Sequence, residues 1–217
     1  MITLYGASLS PFVRKVRVVL ALKNLQYEYV QSMPWSNDEE LAKVSPLGKI
    51  PAMRDGELKI SDSKVLSRYL ENAYPEIPVY PTDAAQKARA DWYEEYAGSV
   101  LSESAAGLFF HRVMRPMMMK QPVDEERVSE LLNDNMPKLL KYLEGELPEQ
   151  GFLFGDLGAA DISIASPFVN AGYASFAIDA KTWPITGAFM ERVKSHALVA
   201  AILDEESQTL ASMQNAS

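Results

Sequence analysis

The 217-residue sequence has no cysteine and only two histidines. Without cysteine, disulfides, thiolate-ligated metals and a protein thiol nucleophile are all excluded. Any thiol chemistry must therefore use a ligand's sulfur. His111 and His196 have no partners at metal-ligand spacing, so no metal site is expected. Positive charge is also scarce: 21 Lys and Arg against 29 Asp and Glu leave a net charge of -8. That balance argues against nucleic acid or an anionic membrane as the main partner. No apolar run is long enough to span a bilayer, and Met1 to Tyr5 lacks the basic and apolar regions of a signal peptide. The expected location is the cytoplasm. Internal repeats and low-complexity tracts are missing too.

What is present centres on Ser8-Leu9-Ser10-Pro11-Phe12-Val13-Arg14-Lys15-Val16-Arg17, which follows a short apolar run. It reads as a strand, a tight loop and a helix. Proline suits a first helical position because its missing N–H has no partner there, and serine is a preferred N-cap. Ser10 then places a hydroxyl at the positive end of a helix, where an anion such as a thiolate is stabilised. Ser8, in the same loop, offers a second hydroxyl. Arg14, Lys15, Arg17 and Lys23, set among apolar neighbours, read as the solvated face of an amphipathic helix.

Asn24 marks the helix end, and Tyr27 to Val30 reads as a second strand, parallel to the first. A short helix follows within Ser36 to Val44, where Ser36 and Glu39 fit a capping box. Asp55-Gly56 between apolar runs predicts a hairpin of Pro51–Arg54 with Glu57–Ile60, and Ser61-Asp62-Ser63 caps a helix reaching Ala73. Three prolines between Tyr74 and Pro81 mark a linker. Beyond it the pattern is helical. A long helix runs from Ala84 to Met114 and should stop before Pro116. A helix kinked at Pro137 spans Asp124 to Leu147, and a buried central helix spans Ala159 to Tyr173. Another helix opens at Trp183-Pro184, and the polar tail from Glu205 should fray.

Four motifs in this order resemble the glutathione S-transferases. They are the Ser8–Arg17 stretch, Ser45-Pro46-Leu47-Gly48-Lys49-Ile50-Pro51-Ala52, Ser61-Asp62-Ser63 and Gly155-Asp156-Leu157-Gly158-Ala159-Ala160-Asp161-Ile162. The resemblance covers nearly the whole chain. It implies a thioredoxin-like α/β domain (1–76), a linker (77–83) and an all-helical domain (84–217), in a homodimer. It implies that Ser10, or its competitor Ser8, donates a hydrogen bond to the glutathione sulfur. Ile50 before a cis Pro51 would hold the cysteinyl part, Lys49 would sit near the glycyl carboxylate, and Asp62 with Ser63 would take the γ-glutamyl end. Asp161 resembles a structural capping carboxylate, with Gly158 where Ser or Thr is usual. Leu9, Phe109, His111, Met114 and Met118, with Phe110 beside them, are candidates for an electrophile pocket. The implied activity is conjugation of glutathione to small hydrophobic electrophiles. Isomerase or peroxidase use of the same thiolate, and a non-catalytic ligand-binding or transcription-associated role, are the alternatives.

Overall fold

The computed structural model describes residues 1–34, 36 and 38–215. Its sheet is built on Ile2–Gly6 (β1), whose five residues are all buried. A strand buried this completely needs a partner on each edge and cover on both faces. β1 pairs parallel with β2 (Tyr27–Gln31) and antiparallel with β3 (Ala52–Asp55), which pairs antiparallel with β4 (Leu58–Ser61). The order is β2-β1-β3-β4. Helix α1 (Pro11–Leu22) joins the parallel pair, and α2 (Glu39–Val44) and α3 (Ser63–Ala73) complete the unit. Close approach of β1 to α1 requires Gly6, because an added Cβ would lie 2.4 Å from Val13 Cγ2. Past α1, Asn24 turns the chain with φ of 54°, a conformation Asn tolerates better than most residues.

Three local expectations need correction here. The cap of α2 is Asp38, whose carboxylate accepts from Glu40 N and Leu41 N, while the Ser36 hydroxyl donates to Met33 O. An anion directly before the first turn outcompetes a more distant hydroxyl; Asn37, within the expected helix, lies outside the described residues. The hairpin strands begin one residue later than expected, with Gly56 at φ of 56° in the turn. The third concerns the four cations assigned to a solvated face. Arg14, Lys15, Arg17 and Lys23 are all buried. Each has a carboxylate from elsewhere in the chain: Glu206, Glu94, Glu205 and Glu71, respectively.

From residue 84 onward the regular structure is helical. The first run, 84–119, alternates ordinary turns with two widened stretches, Ala97–Ala106 and Phe110–Met114. Pro116 does not end it. The i→i+5 turns just upstream ease the steric conflict between a proline ring and the preceding turn. Pro137 behaves alike: widened turns at Leu131–Asn135 lead into Met136–Glu146, so helical structure continues from 125 to 146, as expected. The central helix, Ala159–Tyr173, packs against both α1 and the long helix. Pro184–Ser195 and Ala197–Asn215 close the fold. The expected fraying from Glu205 is overturned through Asn215, because Glu206 is fully buried against Arg14; residues 216 and 217 lie outside the described residues.

The proline-rich connection is docked rather than loose. Val79 and Tyr80 are buried, and Val79 N donates to Glu71 Oε2. The Val79 carbonyl accepts from Ala159 N and lies where a Cβ on Gly158 would come within 2.7 Å. That backbone oxygen occupies the space a Ser or Thr cap would need. Among the described residues, no helix is long and apolar enough to cross a membrane.

Candidate active site

Ser10 stands at the N-cap of α1 in an extended conformation, and Pro11 occupies the first helical position. Its Oγ accepts from Val13 N at 3.4 Å, a long and therefore weak cap bond. With the oxygen facing Val13 N–H, the hydroxyl proton is available to a further acceptor. Ser10 lines a cleft of about 770 Å³ between the sheet unit and the long helix. Ser8 is buried in the loop and is not part of the cleft wall. The two hydroxyls are thus presented differently.

Lys49, Ile50, Pro51, Asp62 and Ser63 line the same cleft, so all five polar-side candidates come together. The Ile50–Pro51 peptide is cis, and Gly48 just before it turns with φ of 62°. Ser45, fully buried, accepts from Lys49 N and holds this turn. Asp62 has φ of 85°, a backbone conformation that costs a non-glycine residue of order 1 kcal/mol or more. Two contacts hold it there: Asp62 N donates to Pro51 O, and its carboxylate accepts from Lys64 N and Val65 N to cap α3. The strained residue therefore ties the helix start to the cis-proline segment.

The rest of the lining is mixed: Glu94, Glu95, Ser99, Ser102 and Glu103 of the long helix lie among apolar residues. Leu9, Phe12, Phe109, Phe110 and Met114 face the cleft. His111 and Met118 do not. The His111 ring stands edge-on to Phe110, with Nδ1 3.7 Å from Asp124 Oδ2, and Met118 is about half exposed near the helix end. Phe110 and Met114, four residues apart, share the cleft face across the widened stretch, and His111, next to Phe110 in sequence, falls on another face. Met118, beyond Met114 near the helix end, lies outside the cleft lining. Among the described residues, no group of three or more His, Asp or Glu is placed to hold a metal ion.

A glutathione S-transferase N-terminal domain model matches residues 4–78. A zeta-class glutathione S-transferase from Euphorbia esula is 32% identical over 177 residues, covering 79% of this chain and 76% of the relative. The chain belongs to the glutathione S-transferase family. A glutathione S-transferase from Triticum aestivum is 30% identical over 185 residues, or 84% of this chain and 83% of that one. Among solved structures, a glutathione S-transferase from Rhodospirillum rubrum F11 superposes with a TM-score of 0.84 at 26% identity, covering 94% and 92% of the two chains. A thioredoxin-like unit followed by a helical region is thus the family's fold and this chain's fold.

Within that family frame, the cleft includes groups that sequence patterns did not point to. Lys15 Nζ lies 3.0 Å from Glu94 Oε1, and Tyr80 OH donates to Glu94 Oε2 at 2.8 Å. Burial, reinforced by the Glu94 charge, pushes the Tyr80 phenol well up, so it stays protonated and acts as a donor. Gly98, Ser102 and Gly107 line the long-helix side with little bulk, leaving room beside the apolar residues. Asn170 reaches the cleft from the central helix. It alone had a visible signal: an amide inside an otherwise apolar helical run is a polar group that needs a partner. Lys15 and Glu94 are too far apart in sequence for local spacing to pair them.

Proposed function

We propose that this cleft binds glutathione, that Ser10 stabilises its thiolate, and that the thiolate is conjugated to small hydrophobic electrophiles. The observation that carries the reading is the Ser10 hydroxyl, its oxygen capped by Val13 N–H, standing in a cleft that Lys49, Ile50, Asp62 and Ser63 share with Leu9, Phe12 and Phe109. A free thiol with pKa near 8.5 is only about 3% ionised at pH 7. A hydrogen bond to a charged sulfur is worth about 1.5–3 kcal/mol and the helix end about 0.3–1, enough together for a fall of about one to two units. The thiol proton leaves to solvent. The sulfur lone pair then forms the S–C bond as the electrophile's leaving group departs or its double bond takes the electrons. Ser10 remains a donor throughout.

In this reading residues 1–76 hold glutathione, 77–83 connect, and 84–217 supply the electrophile wall. Lys49 faces the glycyl carboxylate, Ile50 and Pro51 flank the cysteinyl part, and Asp62 with Ser63 receives the γ-glutamyl end. Ser8 serves the loop. The working form is a homodimer; light scattering at working concentration tests it, and a monomer refutes it.

The decisive experiment follows the ultraviolet thiolate absorbance of bound glutathione against pH, in the parent, Ser10→Ala and Ser8→Ala. The expected result is a lowered thiol pKa in the parent that Ser10→Ala raises and Ser8→Ala leaves in place. Binding without a lowered pKa would favour a non-catalytic carrier. Mass analysis of the product then separates a glutathione adduct from an isomerised substrate or a glutathione disulfide.

A further inference from the structure

The peptide leading into Ser10 is held on both sides. Ser10 N donates to Ala7 O at 3.0 Å within the loop, while the Leu9 carbonyl accepts from Asn170 Nδ2 at 2.9 Å. Asn170 belongs to the central helix, so the bond crosses between the two parts of the molecule. An amide has one donor end and one acceptor end; the Leu9 carbonyl can take only the donor end, and Arg14 takes the other. Its Nη1, which can only donate, lies 2.8 Å from Asn170 Oδ1, so the NH₂ group is left for the Leu9 carbonyl.

Arg14 is itself fixed. It is 1% exposed, and its guanidinium spans both carboxylate oxygens of fully buried Glu206, at 2.9 Å from Nε and 2.5 Å from Nη2. Nη1 also donates to Ser166 O at 2.7 Å, and Tyr173 OH donates to Glu206 at 3.0 Å. A relay of single orientations thus runs from Glu206 through Arg14 and Asn170 to the carbonyl one bond before Ser10. Each member leaves the next only one arrangement.

We propose that Asn170 is a positioning residue for the thiol site: it sets the plane of the Leu9–Ser10 peptide and thereby the direction of the Ser10 hydroxyl. The catalytic consequence rests on the thiolate reading above. Asn170 touches neither sulfur nor electrophile in this role. A hydroxyl held on a loop anchored only from within would sample other directions, and the thiolate would lose part of its hydrogen bond.

Two variants separate positioning from bulk stability. Asn170→Asp keeps the acceptor for Arg14 and sets an oxygen against the Leu9 carbonyl; Asn170→Ala removes both bonds. Hydrogen–deuterium exchange without glutathione is read over residues 7–13, with 16–22 of α1 as the internal reference. Both variants should speed exchange at Ser10 by at least about threefold while the reference segment keeps its protection. With glutathione bound, both should raise the thiol pKa by about one unit, or about tenfold less thiolate at a pH below both values. Activity lost at low pH should return at high pH. Unchanged exchange at Ser10, exchange raised equally along all of α1, or a thiol pKa equal to the parent's would each overturn the proposal. A parent whose bound thiol is unshifted refutes the transferase reading instead, and the glutathione-free exchange then still decides whether Asn170 holds the loop.

Discussion

Helix α1 meets the helical part of the molecule in two ways. Along its body the contact is closed: Arg14 and Arg17 are buried in ion pairs with Glu206 and Glu205 of the C-terminal helix, while Lys15, paired with Glu94 of the long helix, borders the cleft. At its N-terminal tip the contact opens into the cleft, where Ser10 has a single weak cap bond. Arg14 and Arg17 serve the fold, and Ser10 faces the cleft. Buried charges must find partners, because desolvation costs several kcal/mol per ion, whereas a hydroxyl can sit at a wet edge at small cost. That difference explains how one helix both joins the two units and leaves a site between them.

The closed seam gives the largest expected effect. Glu206→Ala leaves Arg14 buried without its carboxylate and should cost about 3–5 kcal/mol, lowering the melting temperature by roughly 10 °C in a chain of this size. Replacing both partners with apolar residues, Arg14→Met with Glu206→Leu, should recover much of that loss. Thermal unfolding of the three proteins checks it. A single variant as stable as the parent would mean that water reaches this seam, and the contrast with the open tip would disappear.

A different buried charge sharpens the point. Asp161, at the start of the central helix, has no cationic partner among the described residues; its carboxylate accepts from Leu153 N and Gly158 N, both at 2.9 Å. Burial pushes its pKa up to about 6 in spite of those bonds. The unfolded value is near 3.9, so the folded state holds the proton more tightly, a linkage of order 3 kcal/mol. Its contribution to stability is complete below about pH 4 and is lost as pH rises through about 6. Asp161→Asn removes the titration, so the parent-minus-variant difference in urea midpoint should shrink between pH 4 and pH 6.5. A difference that grew over this range would show that the backbone bonds outweigh burial.

At the tip the expected effect is on chemistry more than on stability. Ser10→Ala should cost less than about 1 kcal/mol, because the bond it deletes is long. The same change should raise the bound thiol pKa by about one to two units. Urea unfolding and the thiolate titration, run on one preparation, test both halves. A large stability loss would make Ser10 a structural cap first.

How much of this was legible in the sequence follows the range of the interactions. The Ser10-Pro11 start of α1, the Asp55-Gly56 hairpin and the Asp62 cap depend on neighbours within a few residues, and local spacing displays them. Lys49, Ile50, Pro51, Asp62 and Ser63 converge on one cleft for the same reason, since their motifs carry their geometry with them. Arg14 and Glu206, by contrast, are 192 residues apart, and no local pattern joins them. A cation among apolar residues on a helix reads as solvated until its partner is known. His111 and Met118 were misplaced for another reason: they share a run with Phe110 and Met114, and residue type alone does not tell which members of the run face the cleft.

The smallest effect expected is the exposed counterpart of the seam. Lys43 and Glu40 pair at 2.6 Å on the surface of α2, with side chains 58% and 66% exposed. Glu40 holds the Lys43 ammonium above its usual range through their hydrogen bond, yet solvent screens the pair and holding two long side chains in one geometry costs entropy. Lys43→Ala should therefore leave the unfolding midpoint within error of the parent. The pair is similar in length to the Arg14–Glu206 contact, so geometry alone would rank them together; burial separates them. A midpoint change for Lys43→Ala as large as that for Glu206→Ala would remove burial as the factor that divides the seam from the surface.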